Sequence, residues 1–225
     1  MIAFACVAAV SGGASTATDL TYRETFETGS NPSGWTWGTG SETIADNDGN
    51  PGRYLREDYL VTFTPRASTG FGVQSVFVGD YRGRNVSSLG IDMAIPYVSG
   101  NVTGRTVTLI LLNDNGTPAD LADDWGAFKV TDLPIPPTGI AGIVEPADIL
   151  QWRSYDIDVP SQSAMLPEGW TWISRNYVRR SGSWARLMRD VDHVGFVLGD
   201  PAVLYPLLAW DVALDNPRIT LAVAE

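Results

Sequence analysis

From Leu20 onward the apolar residues of this chain come in short runs, and within each run they fall at every second position. Leu89, Ile91, Met93 and Ile95 alternate with Gly90, Asp92 and Ala94, and Tyr155, Ile157 and Val159 alternate with Asp156 and Asp158. Val194, Phe196 and Leu198 share one face of "HVGFVLG", as do Ile219, Leu221 and Val223 of "PRITLAV". Successive side chains of an extended chain point to opposite sides, so this period of two predicts half-buried strands. "RTVTLILLN" (105–113) is apolar on both sides toward its end and reads as a central strand. Turn chemistry punctuates the runs, supplied by 23 Gly and 14 Pro.

A helical period shows in one place. In "SWARLMRDV", Trp184, Leu187, Met188 and Val191 fall at i, i+3, i+4 and i+7, and Ser183 can cap the N-terminus. About two turns over an open end of the fold are expected there. The Pro-rich stretch "TDLPIPPTGIAGIVEPAD" (131–148) is expected to be a surface excursion, because proline cannot join a central ladder. A chain of 225 residues suits one all-β domain, here placed at residues 18–225. The expected architecture is an antiparallel two-sheet sandwich with one short helix.

The first residues read differently. Met1–Val10 is an apolar run too short to span a bilayer, followed by small residues that offer cleavage after Ala17. Residues 1–17 thus look like a secretory signal without its basic n-region, whose true start then lies upstream; the other reading is an N-terminal strand. The single cysteine, Cys6, lies inside that segment, so a mature exported chain would hold no disulfide. A net charge of −11 repels phosphate backbones and sets nucleic acid aside as a partner.

Little catalytic chemistry is on offer. The one histidine, His193, opens a strand and faces away from Val194, Phe196 and Leu198, which suits a structural residue better than a general base. Zinc sites of ordinary composition are excluded by one His and one Cys. Carboxylate pairs are the remaining enzymatic option, as in a polysaccharide lyase or glycoside hydrolase, but 26 acidic residues give no means of choosing a pair. Calcium is the better inorganic expectation, since it takes carboxylate and carbonyl oxygens from loops. "ADNDGNPGRYLRED" offers Asp46, Asp48 and Asn50 with Glu57 in a partial EF-hand spacing, but Pro51 stands where that loop needs a positive φ. A polar hairpin turn is the alternative reading of the same residues.

The chain repeats one hexapeptide: "PSGWTW" (32–37) and "PEGWTW" (167–172). Trp35 with Trp37, and Trp170 with Trp172, should each project two indoles to one side of an extended segment. Such faces can stack on sugar rings or plug a core, and the flanks share nothing that would indicate a duplication.

"FETGSNPSGW", "DGNPGRYLRED", "FVGDYRGRNVSSLGIDM", "LPEGWTW", "WARLMRDVDHVGFVLGDP" and "WDVALDNPRITL" follow one another between Phe26 and Leu221. Their order resembles the laminin domain IV (laminin B) type module and, more broadly, the galactose-binding-like jelly rolls of many carbohydrate-binding modules. The resemblance implies an antiparallel jelly roll without catalytic residues, and a structural calcium where the first and last strands meet. Glu27 and Asp215 would then be ligands, with Asp46 or Asp48 nearby. A secreted binding or adhesion module for extracellular glycan is the leading expectation, with Trp35, Trp37, Trp125, Trp170, Trp172 and Tyr177 as stacking candidates and Arg175 or Arg179 as hydrogen-bonding partners. A structural protein of the cell envelope or matrix, acting through protein contacts, is the second.

Overall fold

The computed structural model describes residues 19–70, 72–117, 120, 122–141, 150–174 and 181–223. Their elements, in chain order, are β1 (Leu20–Arg23), β2 (Thr43–Gly49), β3 (Gly52–Thr62), β4 (Arg66–Gly70), β5 (Val86–Val98), β6 (Arg105–Asn113), β7 (Trp125–Ile135), β8 (Pro137–Ile140), β9 (Arg153–Asp158), β10 (Trp170–Ser174), α1 (Trp184–Leu187), β11 (His193–Leu198) and β12 (Leu208–Leu221). Two sheets face each other as a jelly-roll sandwich. One runs β2-β3-β12-β5-β8, with β1 also on β12 and β9 also on β5; the other runs β10-β7-β6-β11-β4. All pairings are antiparallel except β5 with β8.

The alternating residues form the layer between the sheets. Leu89, Ile91, Met93 and Ile95 of β5 meet Val107, Leu109 and Leu111 of β6, with Val194, Phe196 and Leu198 of β11 and Trp210, Val212 and Leu214 of β12. At about 25 cal/mol per Å² of apolar surface removed from water, such a layer is the main favourable contribution to folding. β6 lies between β7 and β11, as its apolar character on both faces predicts, and its other face joins Ile110 and Leu112 to Phe128, Ile173 and Val197 in a second buried cluster. His193 is buried on that same outward face of β11.

Three expectations change in detail. The helix is a single turn. Ser183 caps it, accepting from Arg186 N at 3.3 Å, but from Met188 the chain pairs with other segments: Arg82 N donates to Met188 O, and Val191 exchanges two bonds with Gly79. Trp184, Leu187, Met188 and Val191 are nonetheless all buried, as the spacing requires. Part of the Pro-rich stretch lies within the sheets: Thr131–Ile135 extends β7 and Pro137–Ile140 forms β8. Prolines are tolerated there because β10 covers only Trp125–Lys129 of β7, leaving Pro134 on a free side, and Pro137 is the first residue of an edge strand. Residues 142–149 lie outside the described residues, as does the 1–17 segment. Finally, Pro217 stands in β12, which is central to its sheet. A bulge absorbs it: the register against β5 shifts between Asp215 and Arg218, and Asn216 takes a φ of 48°.

Candidate functional site

The two Trp-containing hexapeptides have different fates. In the first, Gly34 (φ 62°) closes a turn onto Asn31, whose side chain brackets Trp35 by accepting from its N at 2.8 Å and donating to its O at 2.6 Å. Trp35 is buried against Phe77, edge-on at 5.1 Å, and Trp37 is buried with it. In the second, Gly169 (φ 80°) launches β10, and Trp170 is buried with its ring 4.9 Å from that of Trp184. Trp35 and Trp170 are thus core residues rather than a ligand platform. Trp172 shares the inward face but lies where the core runs out, and it is only half-buried.

There Trp172 meets the half-buried Trp125, which opens β7; the ring centroids are 5.9 Å apart and the planes tilted by 47°. The β10–β7 register, with Ser174 opposite Trp125 and Trp172 opposite Ala127, sets the two indoles on one face. The Arg186 guanidinium of α1 sits 5.6 Å from the Trp125 ring centre and donates to Asn115 Oδ1 at 2.5 Å. Asn115 in turn donates to Asp123 Oδ2 at 2.9 Å, and Thr117 Oγ1 also bonds Asp123 at 2.9 Å. Gly182 borders the pair because nothing larger fits: a Cβ there would stand 2.6 Å from Trp125 Cζ3 and 3.1 Å from Trp172 Cζ3. Asn115, Asp123, Trp125, Gly182 and Arg186 line a cleft of about 310 Å³.

The cleft rests on a half-buried acid. Asp192 Oδ2 accepts from Asn113 Nδ2 and Asp114 N, both at 2.9 Å, and so holds the turn that presents Asn115. Burial, reinforced by the charges of Asp190 and Asp114, raises the Asp192 carboxyl to about 6. Chemically the cleft offers the Trp125 ring, with the half-buried Trp172 packed beside it, next to a cation, an amide and a carboxylate, which suits a ligand with C–H faces and hydroxyl groups. Sequence reasoning found the two indoles but missed Asn115, Asp123, Gly182 and Arg186. The only signal for Arg186 was its place on the polar side of a capped helical run. Arg175, Tyr177 and Arg179 lie outside the described residues.

The expected cation ligands are brought together in part. Asp215, fully buried at the β12 bulge, accepts from Asn50 N and Asn216 N, each at 2.7 Å. Burial, with the charges of Asp92 and Glu27 adding to it, raises its carboxyl to about 7. Glu27 Oε1 accepts from Arg53 N at 3.0 Å and fills the space beside Gly52, where a Cβ would stand 2.0 Å from it. So Glu27 and Asp215, from opposite ends of the chain, do converge. Asp46 and Asp48 do not join them. Asp46 pairs with Arg53 at 3.0 Å and is well exposed, and Asp48 is exposed, its carbonyl accepting from Trp152 Nε1 at 2.7 Å. The remaining buried acid nearby, Asp92, is committed to Arg218 at 2.9 Å and to Asn50 and Asn216. Among the described residues no group of three or more His, Cys, Asp or Glu side chains is placed to hold a metal ion. What the geometry offers a cation is two carboxylates, with any further ligands drawn from backbone oxygens.

No family model matches the sequence, and no curated protein does. Among solved structures the chain is similar to part of an exo-β-agarase, with 13% identity and a TM-score of 0.45 over 89% of this chain and 25% of that one. It is also similar to the non-crystalline-cellulose-specific carbohydrate-binding module CBM28, with 14% identity and a TM-score of 0.43 over 87% of this chain and 90% of that one. A third is SGBP-B from a xyloglucan utilization locus of Bacteroides uniformis, with 13% identity and a TM-score of 0.32 over 84% of this chain and 47% of that one. The chain thus spans about a quarter of the agarase and nearly all of the isolated module.

Proposed function

We propose that this chain is a secreted, non-catalytic carbohydrate-binding module whose ligand stacks on Trp125 and Trp172. The observation that carries the reading is the half-buried Trp125, which lines a cleft with Arg186, Asn115 and Asp123 at one end of the sandwich and has the half-buried Trp172 ring 5.9 Å away. Aromatic faces take the C–H side of a pyranose, while guanidinium, amide and carboxylate take its hydroxyls. Arg186 has a further consequence: bonded to Asn115, it has donors left over, and its charge beside the Trp125 ring keeps that ring in place.

The test is retention of the purified chain on polysaccharide. Agarose, non-crystalline cellulose and xyloglucan are the first to try, being the glycans named with the neighbouring structures. Binding without release of reducing ends supports the reading. Release of reducing ends that disappears with one carboxylate substitution overturns it in favour of a lyase or hydrolase.

A calcium ion between Glu27 and Asp215 belongs to the same reading. Its support is electrostatic: a fully buried carboxylate raised to about 7, with Glu27 and Asp92 adding like charge, is a place where a divalent cation relieves repulsion. The ion would tie the segment after β1 to β12.

A further inference from the structure

A second cleft, of about 680 Å³, opens at the other end of the five-stranded sheet. Its place follows from the register: at one end of β11 His193 pairs with Leu112, next to the Asn113–Trp125 pair, whereas Val197, which lines the second cleft, pairs with Thr108 and Arg66. The two ends are roughly 13 Å apart along the strand.

Three aromatic residues line this cleft. Trp37 is the most buried of the three, and its indole N–H has no acceptor among the described residues. Phe63 is 53% exposed, and Tyr205 accepts from Asp200 N at 3.0 Å, leaving its own O–H to donate. Arg66 and Asp200 also line it, yet they form no ion pair with each other, and among the described residues no side chain accepts from the Arg66 guanidinium. Asp200 Oδ1 accepts from Ala202 N at 2.8 Å, so its other oxygen is available.

Resting on the glycan-binding reading above, we infer that this cleft is a second, independent binding site for a neutral saccharide, so that the module is bivalent. The ligand class follows from the groups present. Ring faces call for C–H surface. One cation and one anion that leave each other unpaired call for a ligand whose groups both donate and accept, as hydroxyls do. A polyanionic glycan is disfavoured twice over, by Asp200 inside the cleft and by the net charge of −11. Two sites on one rigid sandwich raise retention on a polymer through effective concentration without any new contact.

The experiment is calorimetric titration of the full chain with hexasaccharides of cellulose, agarose and xyloglucan. The variants are Trp172→Ala, Arg66→Ala and the double substitution, with Phe63→Ala as a second probe of the new cleft that leaves the core intact. For the saccharide that binds best, the expected result is two sites in the parent chain, one in each single variant and none in the double. One site, lost with Trp172→Ala and untouched by Arg66→Ala and Phe63→Ala, overturns the inference and leaves the first site standing. No binding to any of the three overturns the glycan reading itself and the inference with it. The rim carries Leu204, 93% exposed, so the same protein is run by sedimentation. Self-association abolished by Leu204→Asp, with a single saccharide site, assigns the cleft to a contact between copies and overturns the inference.

Discussion

At the scale of single residues, tryptophans in one repeated hexapeptide divide into core and site. Trp170 and Trp184 pack against each other in the core, whereas Trp172 lies half-open. Trp184→Ala should therefore cost about 3–5 kcal/mol in urea unfolding, the usual range for a large aromatic removed from a core. Trp172→Ala should change stability far less yet weaken glycan binding about tenfold or more, the scale of an interface anchor. Arg218 is the residue whose loss should be felt most among the charges. It is buried between Asp92 at 2.9 Å and Asp156 at 2.7 Å and also donates to Tyr155 O at 2.9 Å. Arg218→Leu leaves Asp92 buried without its cation, and denaturant unfolding should show a loss of about 3–5 kcal/mol. Asp192 gives a pH dependence. Its folded carboxyl, at about 6, lies above its unfolded value, so its contribution is present at low pH and lost as pH rises toward and through 6. Asp192→Asn should match the parent's melting temperature near pH 4 and exceed it near pH 7; equal curves at both would show that this carboxyl does not titrate as described.

At the scale of elements, β9 was legible because one face is buried and the other exposed, which imposes a period of two. β5 and β11 are buried on both faces, and were legible because large apolar side chains on the inner face alternate with small or polar ones such as Gly90, Asp92 and Ala94, or His193 and Gly195, on the other. β2 was not legible: "TIADNDG" is an edge strand with little buried surface, so nothing forces alternation. β7 and β12 were obscured by proline, which is admitted in one case at a free side and in the other at a bulge. The helix was legible in its buried positions and not in its length, because the bonds that end it come from Gly79 and Arg82, distant in sequence. The candidate site was legible only as a list of aromatic residues. Which two meet depends on the β10–β7 register, and which cation joins them depends on where α1 docks. Gly182 gives a test at this scale. Gly182→Ala should push the Trp125 ring from its place and weaken binding at this cleft, with wild-type binding retained as the result that removes the Trp125 ring from the site.

At the scale of the whole molecule, β1 pairs with β12 beside the β12 bulge, and the two clefts proposed as ligand sites lie at the ends of one sheet. If calcium bridges Glu27 and Asp215, adding it should raise the melting temperature, EDTA should reverse the rise, and Asp215→Asn should abolish the response. An unchanged melting temperature in EDTA and in excess calcium would remove the ion from the account and leave the bulge held by Asn50 and Asn216 alone. The central claim, that the half-open tryptophan pair is a glycan site, is tested most directly by affinity electrophoresis of the parent chain and Trp172→Ala through gels containing each of the three polysaccharides. The account predicts that at least one polysaccharide retards the parent and that Trp172→Ala runs close to its mobility in a plain gel. Retardation that is the same for both proteins, or none for either, would contradict it.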